Sequence, residues 1–171
     1  RFVDVADADI TLPVVAYGSC TAEPYVPDAT VTLEPGDAID FESTIAIESF
    51  GGTEGSIVNG VLNVVKNQDA ADWAGNVVAR GGYIFPLTAT DTLVTADVYS
   101  TVSATIRMKL ELEADAAQSA EVDSTVAHTG SGWETLTFNF AGTIAIDANF
   151  DTLVLFPNYG VAGAGNTYQY D

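Results

Sequence analysis

A chain of 171 residues is long enough for one domain with a substantial core and too short for two of ordinary size. Its 5 Lys+Arg against 24 Asp+Glu leave a formal net charge of −19, which repels nucleic acid and anionic membranes and leaves neutral ligands and cations as partners. With 47% hydrophobic residues the acidity marks a solvated surface around a core, not disorder, and no apolar run reaches membrane-spanning length, so no membrane insertion is expected.

In chain order, the first 35 residues stand apart, with four of the six prolines, Pro13, Pro24, Pro27 and Pro35, around one short apolar strand candidate at Ile10–Ala16. Residues 1–37 read as an N-terminal extension or linker and 38–171 as the domain. The extension strand packs on its own sandwich or pairs with the sheet edge of a neighbouring copy, which would build a homo-oligomer. Cys20, the single cysteine, cannot form an intrachain disulfide and reads as a buried or free thiol. A start at Arg1 reads as a processed or excised piece.

Helical periodicity is almost absent, and Val, Thr, Ile, Tyr and Phe dominate. Strands are predicted at Ala29–Leu33, Ala38–Glu42, Ser56–Val58, Leu62–Lys66, Asn76–Ala79, Thr92–Tyr99, Ala104–Leu112, Ala120–Val126, Glu134–Phe140, Thr152–Pro157 and Thr167–Tyr170. Asp69–Trp73 reads as a helical turn or a loop. Turn clusters such as Glu34-Pro35-Gly36-Asp37, Gly51-Gly52-Thr53-Glu54-Gly55 and His128-Thr129-Gly130-Ser131-Gly132 separate them. Many short strands with such punctuation predict an all-β, two-sheet antiparallel sandwich. Alternation puts Leu136, Phe138 and Phe140 on a core face, with Thr135, Thr137 and Asn139 on a wet one. Likewise Ile106, Met108, Leu110 and Leu112 face inward, so Arg107, Lys109 and Glu111 form an outward row. Ligand contact and pairing with neighbouring carboxylates both account for cations there.

For catalysis the inventory is thin. The only histidine, His128, reads as a solvent-exposed loop residue, with no HExxH, GxSxG or nucleophile pattern around it. No enzyme activity is expected.

Several stretches, taken in order, carry a family likeness: Ile39-Asp40-Phe41-Glu42, Phe50-Gly51-Gly52, Asn63-Val64-Val65-Lys66, Trp73-Ala74-Gly75, Val98-Tyr99-Ser100, Ile106 to Glu111, Trp133 to Phe140, and the closing Gly/Tyr strand that ends Tyr168-Gln169-Tyr170-Asp171. Over about residues 38 to 171 the chain resembles the jelly-roll carbohydrate-binding modules appended to bacterial laminarinase-type and related glucan hydrolases. In that family the last strand normally runs past the aromatic pair into a second acid and an apolar residue, whereas here it stops at Asp171.

The resemblance implies a non-catalytic, extracellular or cell-surface module that binds a neutral polysaccharide, a β-glucan such as laminarin. It also implies a structural calcium tying the first strand to the last, with Asp40, Glu42, Asp171 and the Gly52 carbonyl as oxygen ligands. Sugar binding needs aromatic platforms with polar flanks. Trp73, Tyr83, Tyr99, Tyr159 and Tyr168 are the candidate platforms, and Lys66, Arg107, Lys109 and Asn158 the polar partners. Trp133 is assigned to the core. The alternative is a self-assembling surface or filament subunit built on the same jelly roll with strand exchange.

Overall fold

The computed structural model describes residues 31–34, 36–41, 45–81, 83–85, 87–88, 90–144 and 149–171. Ile10–Ala16, Cys20 and Glu42 lie outside the described residues. Twelve strands are present among those described: β1 (Val31–Thr32), β2 (Ile47–Phe50), β3 (Thr53–Val58), β4 (Val61–Lys66), β5 (Gly75–Val78), β6 (Tyr83–Ile84), β7 (Leu93–Ser100), β8 (Arg107–Leu112), β9 (Asp115–Asp123), β10 (Gly132–Asn139), β11 (Thr152–Phe156) and β12 (Asn166–Tyr170).

Two five-stranded sheets form the body, one ordered β10-β7-β12-β4-β3 and the other β2-β5-β11-β8-β9, while β1 and β6 make a small parallel pair. Every pairing within the large sheets is antiparallel. The all-β sandwich expected from strand spacing and turn chemistry is therefore what forms.

The core lies between the sheets. Leu62, Val64, Val98, Leu136, Phe138, Tyr168 and Tyr170 come from the first sheet, and Val78, Met108, Leu110, Ala120, Leu153 and Leu155 from the second. Period-two alternation sends their neighbours to the two outer faces. Burial pushes the Tyr170 phenol pKa well up from its ordinary value.

Departures from the sequence reading have local causes. Residues 38–41 of the strand predicted at Ala38–Glu42 are not in a strand, although Phe41 is buried in the core. An edge strand, β2, and the short β6 were missed, each being brief and next to glycines that read as turn. The strand β9 starts at Asp115, well before Ala120, because its first five residues are exposed at a sheet edge and carry no hydrophobic alternation. Asp69–Trp73 is a turn, closed by Ala70 N donating to Asn67 O (3.1 Å) and Ala74 N to Ala71 O (3.0 Å).

Candidate functional site: an aromatic strip across one sheet

On the outer face of the β2-β5-β11-β8-β9 sheet, register lines up Phe50 with Gly75, Phe156 with Arg107, and Arg107 with Asp123. Two loops extend this row. Trp73, in the turn before β5, stacks on Phe50 with ring centroids 6.2 Å apart and planes 16° apart. Phe50 meets Phe156 edge-on at 5.8 Å, and Phe156 meets Tyr159 edge-on at 5.6 Å. Arg107 then caps the Tyr159 ring, its Cζ 3.7 Å from the centroid.

Beneath the strip, Val77 and Val154 are buried, although they point away from the main core. Trp73 is 54% exposed, so one of its faces is open to a ligand. Gly51 makes this stack possible. Its φ of +68° and its closeness to Ala74 Cα, 2.8 Å from where a Cβ would sit, leave room for no side chain.

The flanks are charged but internally paired. The Arg107 guanidinium donates to Asp123 through Nε (2.6 Å) and Nη2 (3.1 Å) and to Glu121 through Nη1 (3.2 Å). Asp123 raises its pKa chiefly through that hydrogen bonding. Lys109 pairs with Glu111 at 2.7 Å, and on the other flank Arg80 pairs with Glu48 at 2.6 Å. Carboxylate pairing thus accounts for the cationic row, and it leaves a floor of rings bordered by fixed polar groups.

Lys66 holds the two loops that carry Trp73 and Tyr159. It lies at an inward position of β4 in line with Leu62 and Val64, is 1% exposed, and donates from Nζ to Asp72 O (3.2 Å), Pro157 O (3.0 Å) and Asn158 O (3.1 Å). Asp72 precedes Trp73, and Pro157 and Asn158 precede Tyr159. The same loops meet directly through Gly160 N donating to Asp72 O (3.1 Å), and Tyr159 N donates to Thr105 O (2.8 Å). Burial lowers the Lys66 pKa, and the Asp72 charge partly restores it.

No protein-family model matches the sequence, and no curated protein matches it. Among solved structures, the chain is similar to the second N-terminal cellulose-binding domain of Cellulomonas fimi β-1,4-glucanase C, at 23% identity over 84% of this chain and 92% of that one, with a TM-score of 0.51. A mutant of a family 29 carbohydrate-binding module matches at 13% identity over 73% of this chain and 76% of that one, with a TM-score of 0.47. The likeness to the Cellulomonas domain shows a shared fold.

Of the residues singled out from sequence, the fold brings Trp73, Arg107, Lys109 and Tyr159 to one face. Lys66 is a correction: its ammonium is consumed by three carbonyls and reaches no ligand. Asn158 spends its carbonyl on Lys66, at a left-handed φ of 47°. Tyr99 lies on the outer face of the opposite sheet. Tyr168 is a core residue at 1% exposure, and half-buried Tyr83 sits on β6 beside β1. Phe50 and Phe156 were missed, although Phe50 is adjacent to the Gly51-Gly52 pair.

Two further corrections concern His128 and Trp133. His128 is fully buried: Gly130 N donates to Nδ1 (2.9 Å), which leaves Nε2–H facing Val98 O and Gly132 O, both at 3.0 Å. Trp133, assigned to the core, is 49% exposed, because it shares the parity of Thr135 and Thr137 on β10 and not that of Leu136 and Phe138.

Two of the proposed calcium ligands, Gly52 and Asp171, do not come together. Gly52 precedes the β3 residue paired with Lys66, whereas Asp171 follows the β12 residue paired with Leu62. Gly52 is thus level with Asn67 and Asp171 with Val61, six residues or roughly 20 Å apart at strand rise, too far for one ion to take both. Gly52 O instead accepts from Asn67 N (3.2 Å), and the Asp171 backbone pairs with Asp97 in both directions (3.1 and 3.0 Å). Among the described residues no three acidic, His or Cys side chains, Asp40 included, cluster as metal ligands. No helix there is long and apolar enough to cross a membrane.

Proposed function

We propose that this chain is a non-catalytic carbohydrate-binding module that takes a neutral polysaccharide, a β-glucan such as laminarin, across the strip from Trp73 to Arg107. The observation that carries the reading is the open face of Trp73, held flat on Phe50 at the end of a row of rings. A pyranose ring offers an apolar face to such a platform and hydroxyls to its borders. Around the strip, Glu48, Glu121 and Asp123 provide acceptors, while Arg107 and Lys109 retain N–H groups beyond those bound to carboxylates. A net charge of −19 disfavours polyanionic glycans.

The fold likeness to a cellulose-binding domain supports the same reading. So does the described histidine, which is buried in a structural role and unavailable for acid–base work. One module of this kind binds weakly, and repetition on a parent protein or surface would add avidity.

Titration calorimetry with laminarin and with cello-oligosaccharides tests the proposal. Binding heat with one of them, reduced at least tenfold in affinity by Trp73→Ala, is expected. Heat that is unchanged by Trp73→Ala would remove this face as the site.

A further inference from the structure

The opposite sheet carries a second row of similar chemistry. Register places Trp133 opposite Tyr99, Tyr99 opposite Gln169, Gln169 opposite Asn63, and Asn63 opposite Ser56. All five are outward positions, since their strand neighbours Val98, Ser100, Tyr168, Tyr170, Leu62 and Val64 are buried. One line thus crosses all five strands, with about 4.8 Å between successive strands. Trp133 and Tyr99 form a tilted ring pair, with centroids 5.6 Å apart and 58° between planes.

The amides beside them are held in place. Gln169 Nε2 donates to Asn63 Oδ1 (2.5 Å), and Asn63 Nδ2 donates to Val61 O (3.1 Å). Among the described residues this leaves the Gln169 carbonyl oxygen and the Ser56 hydroxyl without a partner.

We infer that this row is a second glycan-binding surface, so that one module holds two polysaccharide chains, one on each outer face. The inference rests on the reading of the first face as a glycan site. Its chemistry is that of a neutral polyhydroxylated chain: two rings to stack on, then amide and hydroxyl groups at fixed spacing, with no charged side chain in the row. A second copy of the protein is a poor occupant. Asp97 and Glu54 border the row, and two chains of net charge −19 would meet face to face. Two independent faces would let a single domain bridge glycan chains and crosslink a polymer without oligomerising.

The test titrates laminarihexaose and cellohexaose into wild type, Trp73→Ala, Trp133→Ala and the double variant, while NMR follows the side-chain amides of Gln169 and Asn63. Wild type is expected to bind two equivalents, each single variant one, and the double variant none. The amide signals should shift with sugar in wild type and in Trp73→Ala. Because that shift is read with Trp133 in place, misfolding of Trp133→Ala would not obscure it, and Gln169→Ala offers a second variant with the ring pair intact.

If Trp73→Ala abolishes all heat and the amides stay still, the second row is overturned and the first face stands. If Trp133→Ala abolishes all heat and Trp73→Ala changes nothing, the first face falls and the second row stands. No heat and no shift with either sugar overturns both. A dimer that Trp133→Ala dissociates, with amides unmoved by sugar, makes the row a protein interface and overturns the inference.

Discussion

Lys66→Met keeps most of the side-chain stem while removing the ammonium, and so leaves Asp72 O, Pro157 O and Asn158 O without their shared donor. Hydrogen bonds to a charged group contribute about 1.5 kcal/mol each at the low end, so three give roughly 4.5 kcal/mol. Burying the ammonium costs part of this back, as the direction of its pKa shift shows, and Met no longer carries that cost. The net loss is therefore set at ~3 kcal/mol, the low end for removing one member of a buried charged contact.

For a domain of this size, 1 kcal/mol moves Tm by about 2–4 °C, so Lys66→Met is expected to melt roughly 6–12 °C below wild type. Circular dichroism or calorimetric melting measures it. Glycan affinity should fall as well at temperatures where the variant is folded, because the freed carbonyls belong to the loops carrying Trp73 and Tyr159. A melting point within about 2 °C of wild type would refute the idea that this buried ammonium staples the two loops.

Gly51→Ala should both destabilise and impair binding: its Cβ would fall 2.8 Å from Ala74 Cα and 3.1 Å from Trp73 Cζ3 at a φ of +68°. A loss of about 2 kcal/mol in denaturant unfolding, with weakened glucan binding, is expected, and unaltered affinity would show that Trp73 tolerates displacement. Glu134 accepts hydrogen bonds from Thr129 and Ser131, and these hold its pKa at about 2 against an ordinary 4.5. Its contribution to stability is therefore complete above pH 4.5 and is lost as pH falls toward 2. The Tm difference between wild type and Glu134→Gln should shrink across that window, and a constant difference would contradict the assignment. Calcium or a chelator should leave Tm unmoved, since Gly52 and Asp171 lie too far apart to share one ion. A melting point that climbs with calcium concentration would show a site that the described residues do not form.

The face to which each residue belongs was largely legible, and where it was misread the signal was present. Lys66 shares the parity of Leu62 and Val64, which predicts an inward ammonium; its charge suggested a ligand contact instead. Trp133 shares the parity of Thr135 and Thr137, which predicts exposure, whereas the family resemblance suggested core. His128 had no such signal. Its burial comes from a loop drawn in by the Ala104–His128 bridge, with its ring nitrogen against Val98 O and Gly132 O.

By itself, then, the sequence determined the all-β class, most strand positions and the inward or outward sense of most strand side chains, because the two-residue period of a strand is a local property of the chain. Tertiary structure alone decided which strands share a sheet. Tyr99 and Tyr159 read as equivalent platforms in sequence, yet they lie on opposite outer faces, since β7 pairs with β10 and β12 while β8 and β11 form the other sheet. The strip itself is equally non-local: Phe50, Trp73, Phe156 and Tyr159 come from distant parts of the chain. They meet because strand pairing aligns Phe50 with Gly75 and Phe156 with Arg107, and because one buried lysine gathers the carbonyls of both loops.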